Sequence, residues 1–487
     1  MIIRISGHNF HYECENLCRI FYPDEKINII YDNSGTDARV INTSYSDGKV
    51  FCEAIIDGSR VSLEAETTPE NAELSLAQLI DADLTEITTY IPPWGVLTGV
   101  RPSKLMRKLI AEKGEDGAVD FFKTELRVTE RKTSLALTVA EAEEDILRAS
   151  RDDSCSVYIS IPFCPSRCAY CSFVSHSITN PNARKLLPQY LEKLEEEIIL
   201  TGNIIKRNGL RIESIYFGGG TPGILEASQI DRLQCAVEKS FNLSNLREYT
   251  FELGRPDTVT PEKLHILKLH GTDRISINPQ TFRQQTLDII GRKHTIEQAI
   301  KAYQLAGSYN FKCINMDLIA GLPGETYSDF VNSIDTAVIL SPENITVHTL
   351  ALKRSALLNF EHVQLTDCEN VAMMLDYSHK KLKENGYSPY YMYRQSKSAG
   401  NLENVGWCTY GTEGLYNVYM MEECHSVIGI GAGAVTKLCK DGGSKVERIF
   451  NYKYPYEYIS GFDIICERKI GIDEFHKRKG VKNDGNQ

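Results

Sequence analysis

From residue 155 to about residue 355, short β-like runs alternate with helical patterns. The runs read CSVYISI, IESIYFGGG, EYTFELG, DRISIN, INMDLIAG and NITVHTLAL, and helical segments such as LPQYLEKLEEEIILTGNIIK lie between them. Parallel strands need a crossover connection, which is usually a helix, so six strand–helix pairs indicate a parallel sheet. We therefore predict an α/β fold over residues 151–365, with a parallel sheet that closes into a barrel or a partial barrel. Chemistry in such barrels gathers at the carboxyl ends of the strands.

The flanking segments follow other patterns. Residues 1 to about 85 alternate apolar and polar positions, as in KVFCEAIID, which is typical of β-hairpins. From about 86 to 150 the spacing becomes helical, and beyond about 365 helical, aromatic and glycine-rich stretches are mixed. We predict an N-terminal α+β domain of unknown role over residues 1–150 and a small mixed C-terminal covering domain over residues 366–487. A chain of 487 residues is long enough for two or three domains.

Composition limits the location of the protein and its partners. No run approaches the length of a membrane span, and the first residues, MIIRISGHNFHYE, lack the apolar stretch of a signal peptide. We therefore expect a cytoplasmic location, where the fourteen cysteines are reduced thiols. The net charge of −11 argues against a nucleic-acid surface, which requires a concentrated basic face. An anionic substrate would need a local basic pocket.

Three cysteines lie within eight residues, directly after the first strand of the predicted barrel. They are Cys164, Cys168 and Cys171, in the stretch YISIPFCPSRCAYCSF. Three thiolates can hold a [4Fe–4S] cube and leave one iron open to another ligand. A structural zinc site is the alternative, but it needs a fourth ligand, for which His176 is the only local candidate. Three unrelated buried thiols are the remaining interpretation.

A glycine-rich stretch, YFGGGTP, follows the second strand of the predicted barrel. Its three glycines, residues 218–220, allow the main chain to approach a ligand without obstruction by side chains. On its own, this stretch is equally typical of a turn. Its position at the carboxyl end of a strand, at the same end of the barrel as the cysteines, favours a ligand-binding role.

Taken in order, these motifs resemble those of the radical S-adenosylmethionine (SAM) superfamily and, within it, of the oxygen-independent coproporphyrinogen III oxidase-like family. The matching pieces read YISIPFC, YFGGGTP, DRISINPQTF, GRKHT, NMDLIAGLPGET and VIGIGAGA, and they cover most of residues 155–435. The stretch PPWGVLTGVRPSKL, residues 92–105, looks most like the coproporphyrinogen dehydrogenase variant of this family. The resemblance implies that the predicted sheet is a partial (β/α)6 radical SAM barrel.

The resemblance implies two cofactors. Cys164, Cys168 and Cys171 would ligate a [4Fe–4S] cluster, and the amino and carboxylate groups of SAM would chelate its open iron. One electron from the reduced cluster would cleave SAM to methionine and a 5′-deoxyadenosyl radical. A flavodoxin- or ferredoxin-type protein would supply that electron.

The resemblance also implies a set of SAM contacts. The implied residues are Tyr158, Tyr170, Gly219, Gly220, Thr221, Glu252, Gln280, Arg292, Asp317 and Ala351. Tyr170 would pack on adenine, and the glycine stretch would hold the methionine end. Glu252 and Gln280 would bind polar groups, Arg292 would pair with the carboxylate, and Asp317 would accept from the ribose. Ala351 would border the adenosine. Taken singly, such a Gln, Arg or Asp is more often a surface or loop-capping residue.

The family pattern implies a reaction on a tetrapyrrole. We expect an enzyme that oxidatively decarboxylates two propionates of coproporphyrinogen III without oxygen, giving protoporphyrinogen IX in heme biosynthesis. Two alternatives stay open: a heme-binding chaperone of the same family, and a different radical SAM reaction on a tetrapyrrole.

Two departures from the family pattern bear on this choice. Phe173 stands where the characterised dehydrogenase carries a further cysteine, and the chaperone branch also lacks that cysteine. Gly400 stands where the chaperone branch carries a histidine implicated in heme binding. The first departure puts the substrate-side chemistry of a dehydrogenase in question, and the second weakens the chaperone interpretation.

Overall fold

The computed structural model describes residues 1–23, 25–32, 35–171, 173, 175–351, 366–395, 398–440, 443 and 445–480. Contacts within the chain divide it into two units. The first unit consists of Met1–Glu141, Asp367–Ala372 and Met392–Asn404. The second unit consists of Ala142–Thr366, Met373–Tyr391 and Val405–Gln487. The division into domains at residues 150 and 365 stays a prediction.

The first unit contains a five-stranded sheet and helices. Its strands are β1 (Ile2–Ser6), β2 (Asn28–Ile30), β3 (Arg39–Ser46), β4 (Lys49–Ile56) and β5 (Ser59–Glu66). Its helices are α1 (His11–Phe21), α2 (Ala72–Thr88), α3 (Pro102–Thr124) and the start of α4 (Glu130–Arg148). The strand order is β2-β1-β3-β4-β5, with β1 parallel to β2 and β3.

The antiparallel pairing of β3, β4 and β5 agrees with the predicted hairpins. However, α1 and most of α2 lie in the segment where the sequence pattern predicts hairpins only. The reason is visible in α1, where Cys14, Leu17 and Cys18 are buried. These positions recur at three and four residues, which is helical spacing and not strand alternation.

The second unit contains the longer sheet. From residue 154 onward, the elements in chain order are β6 (Ser154–Ile161), β7 (Phe163–Cys164), β8 (His176–Ser177), α5 (Pro181–Arg207), β9 (Arg211–Gly219), α6 (Ala227–Ser240), β10 (Glu248–Gly254), α7 (Pro261–Leu269), β11 (Arg274–Ile277), α8 (Gln284–Ile289), α9 (Ile296–Gly307), β12 (Cys313–Ala320), α10 (Tyr327–Leu340), β13 (Asn344–Thr349), α11 (Cys368–Glu384), β14 (Ser388–Arg394), β15 (Glu403–Cys408), α12 (Leu415–Glu422), β16 (Ser426–Ile430), β17 (Val435–Lys440), β18 (Lys445–Phe450), α13 (Pro455–Ser460) and α14 (Phe462–Gly480). The first residues of α11 and β15 and the last of β14 fall within the bounds of the first unit.

Six parallel strands form the centre of this sheet. The full order is β14-β15-β13-β12-β11-β10-β9-β6-β16-β17-β18, and the strands from β13 to β6 are parallel. Helices connect them in sequence, which confirms the predicted α/β fold with six central strands. The sheet has two ends, so it is a partial barrel. C-terminal strands extend it on both sides, with β15 antiparallel to β13 and β16 parallel to β6.

Side chains on each central strand alternate between the helices and the barrel interior. Val157, Ile159 and Phe217 belong to the apolar core packed against the helices. Tyr158 and Tyr216 occupy the alternate positions on β6 and β9, and they are paired in register. The interior therefore receives aromatic and polar side chains, which sets up the site described next.

None of the described helices is both long and apolar enough to cross a membrane.

Candidate active site at the cysteine loop

The cysteine loop, residues 164–171, leaves the sheet directly after β6. Its first residue, Cys164, ends the short strand β7, which pairs with β8. The loop is held by its backbone: the amide of Ala169 donates to the carbonyl of Ile290 at 3.0 Å, and the amide of Cys171 donates to the carbonyl of Cys168 at 3.1 Å. Cys164 and Cys168 are buried, and Cys171 is half-buried.

The three thiols share one electrostatic environment. Burial raises the pKa of Cys164, and the neighbouring Cys168 adds to the effect. Burial also raises the pKa of Cys171 to about 11, with further contributions from Cys168 and Cys164. Ligation by a metal would have to overcome this preference for the thiol form, since the thiolate is the ligand.

Among the described residues, one group of three potential ligand atoms lies within 4.8 Å of one another, and it belongs to Asp231, Cys235 and His270, outside the cysteine loop. The three thiols of the cysteine loop do not form such a compact group. Three thiolates suit three corners of an iron–sulfur cube, whereas a tetrahedral zinc site needs a fourth ligand.

The glycine loop, residues 218–221, packs directly on the cysteine loop. The amide of Gly220 donates to the carbonyl of Ile161 at 2.9 Å, and the hydroxyl of Thr221 donates to the Sγ of Cys164 at 3.4 Å. A Cβ atom at position 220 would lie 2.9 Å from that sulfur and 2.5 Å from the carbonyl oxygen of Phe163. Glycine is therefore required at this position because any side chain would push Cys164 away.

A buried arginine lies beside the cysteine loop. The Nη2 of Arg292 donates to the hydroxyl of Tyr170 at 3.3 Å, and its Nη1 donates to the carbonyl of Asn278. Its guanidinium also lies next to Cys168. The residue is only 7% exposed, and its Nε has no hydrogen-bond partner. An unused donor on a buried cation is a suitable group for an anionic ligand.

Arg255 is a second arginine at this edge, and the motif analysis missed it. It forms a two-point ion pair with Asp257, with both contacts at 2.8 Å, and its Nη1 donates to the hydroxyl of Ser166 in the cysteine loop at 2.5 Å. The sequence signal was available in ELGRPD, because Arg255 directly follows the third strand of the predicted barrel.

Three tyrosines stack inside the barrel. The rings of Tyr216 and Tyr416 lie 4.4 Å apart between centroids, and the ring of Tyr158 lies 6.0 Å from that of Tyr416 and 6.2 Å from that of Tyr216. The hydroxyl of Tyr216 donates to Glu252 on the neighbouring strand. Tyr416 comes from α12 in the C-terminal segment, where no motif points to it.

Two interior carboxyl groups differ in acidity. Burial raises the pKa of Glu252 to about 7, assisted by the nearby Asp317 and opposed by the hydrogen bond from Tyr216. Burial acts in the same direction on Asp317, but contacts with His348 and Asn315 outweigh it and hold its pKa below the usual value. Asp317 is therefore ionised at neutral pH, whereas Glu252 titrates close to neutral pH.

The two remaining predicted contacts lie at the carboxyl edge of the sheet. Gln280 has a left-handed backbone, with φ of 70°, and its amide donates to the carbonyl of Asp317 at 3.0 Å. Its carbonyl accepts from the amide of Ile319 at 3.0 Å, which fixes it beside β12. Ala351 is half-buried and follows Leu350, whose amide donates to the carbonyl of Ala320.

The geometry thus joins most of the predicted site residues into three contacting groups. Cys164 contacts the glycine loop, Cys168 and Tyr170 contact Arg292, and Glu252 lies with Asp317 in the interior. Tyr158 joins the last group through the tyrosine stack, and Gln280 joins it through the backbone of Asp317. Ala351 is placed only by its position after the sixth strand.

Comparison with known proteins identifies the family. The Radical SAM superfamily matches residues 158–337. The chain is 35% identical over 494 residues to the oxygen-independent coproporphyrinogen-III oxidase-like protein HemZ of Bacillus subtilis. The alignment covers 96% of this chain and 97% of that protein. The chain belongs to the oxygen-independent coproporphyrinogen III oxidase-like family of radical SAM proteins.

Two further comparisons give lower sequence identities. It is 30% identical over 328 residues to the heme chaperone HemW of Bacillus subtilis, covering 66% of this chain and 79% of that protein. The solved structure of coproporphyrinogen III oxidase HemN from Escherichia coli has a TM-score of 0.52, at 22% identity, and covers 66% of this chain and 72% of that chain. The HemN comparison supports the fold.

As a radical SAM protein, the chain uses a [4Fe–4S] cluster and SAM as cofactors. This result agrees with the expectation from the cysteine and glycine motifs. The residues present also fit both groups, because two buried thiols and one half-buried thiol, three consecutive glycines and a buried arginine with a free donor lie together.

Proposed function

We propose that the protein catalyses the oxygen-independent oxidative decarboxylation of coproporphyrinogen III to protoporphyrinogen IX. Each of two propionate side chains loses one hydrogen atom, one carbon dioxide and one electron, and becomes a vinyl group, and an external one-electron acceptor takes up the electron. The observation that carries this proposal is the packing of the cysteine loop on the glycine loop, in a chain that is similar over nearly its whole length to a coproporphyrinogen-III oxidase-like protein.

In this proposal, Cys164, Cys168 and Cys171 ligate the cluster. When bound, the cluster and SAM supply one-electron chemistry that removes a hydrogen atom from an unactivated carbon. Thr221 orients the first sulfur through its hydrogen bond of 3.4 Å, and hydrogen bonds to ligating sulfurs also tune the reduction potential of a cluster. A flavodoxin- or ferredoxin-type protein delivers the electron.

The chain holds the two ends of SAM with different groups. Gly219, Gly220 and Thr221 hold the methionine end, since the loop offers backbone groups without side chains there. Arg292 pairs with the carboxylate of the cofactor, and its unpartnered Nε is the donor available for this contact. Tyr170 packs on the adenine, and its hydroxyl already accepts from the same arginine.

The interior groups bind the polar parts of the cofactor. Asp317, which is ionised at neutral pH, accepts from the ribose hydroxyls. Glu252 and Gln280 bind further polar groups, Tyr158 lines the same space, and Ala351 borders the adenosine. Positioning of the substrate carbon against the reactive group is the main contribution of the protein, because a fixed geometry replaces a bimolecular encounter.

A heme-binding chaperone is the second candidate, and Phe173 is the observation that favours it. This residue stands in place of a further cysteine that the resemblance associates with dehydrogenases, and it is 66% exposed next to the cysteine loop. The 30% identity to heme chaperone HemW supports the same candidate.

One experiment separates these candidates. Protein with a reconstituted cluster is incubated without oxygen with dithionite, SAM and coproporphyrinogen III, and the porphyrin mass is followed. Loss of two carbon dioxide units supports the proposed reaction. An unchanged porphyrin, combined with added heme that stays bound through gel filtration, supports the chaperone. A different mass change indicates another radical SAM reaction on a tetrapyrrole.

A further inference from the structure

We propose that Tyr416 is a positioning residue for SAM binding: its ring holds Tyr216 in place, and Tyr216 in turn fixes the carboxyl group of Glu252. The inference rests on the proposed contact between Glu252 and SAM, and it does not depend on which tetrapyrrole is the substrate. Tyr416 lies outside residues 158–337, which the superfamily matches, so the positioning group comes from the C-terminal segment.

The first step is the attachment of α12 to β10. The carboxylate of Glu248 accepts from the amides of Leu415, at 2.7 Å, and of Tyr416, at 3.1 Å. These are the first two residues of the helix, where free amides and the helix dipole favour an anion. The backbone of Tyr416 is thus fixed to the first residue of a barrel strand.

The second step is the stack of rings. Tyr416 is 6% exposed, and its ring lies 4.4 Å from that of Tyr216 with an interplanar angle of 26°. The ring of Tyr158 completes the cluster, at 6.0 Å from that of Tyr416 and 6.2 Å from that of Tyr216. A Cβ atom at Gly218 would lie 2.8 Å from the Tyr216 ring, so the main chain confines that ring as well. Tyr216 therefore has little freedom to turn while Tyr416 is present.

The third step returns to β10. The hydroxyl of Tyr216 donates to Glu252, which lies four residues after Glu248 and therefore on the same face of that strand. The contacts form a closed path from Glu248 to Tyr416, then to Tyr216 and back to Glu252. Removal of the Tyr416 ring opens the path, because Tyr216 can then swing away from the carboxylate.

Charged and titratable groups from each packed element face Glu252. Tyr158 on β6, Tyr216 on β9 and Tyr416 on α12 interact with it electrostatically, as does Asp317 on β12. His348 on β13 contacts Asp317, with 3.8 Å between Nε2 and Oδ1. The hydrogen bond from Tyr216 favours the ionised form of Glu252, against burial and the charge of Asp317.

This arrangement predicts a pH signature. The polar groups of SAM that Glu252 binds are donors, so the ionised carboxylate binds them better. SAM affinity should therefore rise as the pH rises through the pKa of Glu252. Loss of the Tyr216 hydroxyl raises that pKa further, so the midpoint of the pH profile moves to higher pH. The titration of SAM itself is the same in all variants.

The test uses anaerobic, cluster-loaded protein and SAM as the probe. Equilibrium dialysis measures SAM affinity between about pH 6 and about pH 8, a range that brackets the carboxyl group. Iron content and circular dichroism check that each variant holds its cluster and fold. We expect Tyr416→Leu and Tyr216→Phe to bind SAM about tenfold more weakly at neutral pH, and Tyr216→Phe to move the midpoint upward. Tyr416→Phe keeps the ring and should restore the affinity that Tyr416→Leu loses.

Wild-type affinity in Tyr416→Leu overturns the inference, as does equal weakening in Tyr416→Phe and Tyr416→Leu. If Tyr416→Leu fails to load its cluster, Tyr216→Phe decides, because it removes a single oxygen atom; an unchanged pH midpoint in that variant overturns the inference. Glu252→Gln separates the SAM contact of Glu252 from the positioning role of the tyrosines. If this variant weakens SAM binding and the tyrosine variants do not, the SAM contact stands and the positioning role fails.

Discussion

Tyr216 donates its phenolic hydrogen to Glu252 across the neighbouring strands β9 and β10. The bond lies in the barrel interior, on the face opposite the apolar core. It matters because Glu252 lies half-buried near Asp317, and two carboxyl groups in one interior do not both ionise readily. The structure assigns the permanent charge to Asp317, which His348 and Asn315 support, and leaves Glu252 to titrate.

Glu252→Gln should change the pH dependence of stability. Folding raises the pKa of this carboxyl from 4.5 to about 7, so wild-type protein loses stability as the pH rises through that window. The variant has no such group, and its stability relative to wild type should increase by up to roughly 3 kcal/mol between about pH 5 and about pH 8. Thermal unfolding at both pH values measures this difference. The exposed Glu112→Gln is the control, and a pH-independent difference for Glu252→Gln would contradict the account.

Cys171→Ala should abolish cluster binding. The cluster needs three thiolates, and this residue is the half-buried member of the three. We expect the iron content after reconstitution to fall about tenfold. Cys466→Ala is a matched control, since Cys466 is also half-buried but lies on α14, outside the cysteine loop. Equal iron content in the two variants would show that the ligand assignment is wrong.

Gly220→Ala should also reduce iron content, for a steric reason. The added methyl group would lie 2.9 Å from the sulfur of Cys164 and 2.5 Å from the carbonyl oxygen of Phe163, so the cysteine loop must move. Gly307→Ala adds the same methyl group at the end of α9 with no atom within 4 Å, and it should retain wild-type iron content. We expect an iron loss of about tenfold in the first variant only. A full cluster in Gly220→Ala would refute the close packing of the two loops.

Lys132→Met should destabilise the first unit. The ammonium of Lys132 pairs with Glu403, which is fully buried and also accepts from the indole of Trp94 at 2.7 Å. Without the lysine, the buried carboxylate loses the cation that hydrogen-bonds to it, although Arg394 still interacts with it electrostatically, and loss of one partner of a buried ion pair costs up to about 3 kcal/mol. Lys123→Met breaks the exposed pair with Glu130 and should cost less than about 1 kcal/mol. Chemical unfolding compares the two variants, and equal costs would argue against a buried pair.

The sequence was sufficient to predict the barrel strands, the cysteine loop and the glycine loop. Alternation of strand and helix patterns predicted six parallel strands, and all six are present in the expected order. The close contact between Cys164 and Gly220 follows from that order, since both loops leave the carboxyl ends of adjacent strands. Local patterns of this kind can be recognised because a few neighbouring residues carry each of them.

Long-range contacts could not be predicted in the same way. Tyr416 is 200 residues after Tyr216 in sequence, and its segment has neither periodicity nor a motif that points to the barrel interior. Likewise, the pattern beyond residue 365 gave no indication that β15 and β16 would extend the central sheet. These placements depend on tertiary packing, which overrides local propensity.

The most direct test of the central claim is the stoichiometry of the proposed reaction. Anaerobic protein with a reconstituted cluster is given dithionite, SAM and coproporphyrinogen III, and both 5′-deoxyadenosine and porphyrin mass are quantified, with Cys171→Ala as the inactive control. The account predicts two molecules of 5′-deoxyadenosine for each porphyrin that loses two carbon dioxide units. Formation of 5′-deoxyadenosine while the porphyrin mass stays unchanged would contradict it.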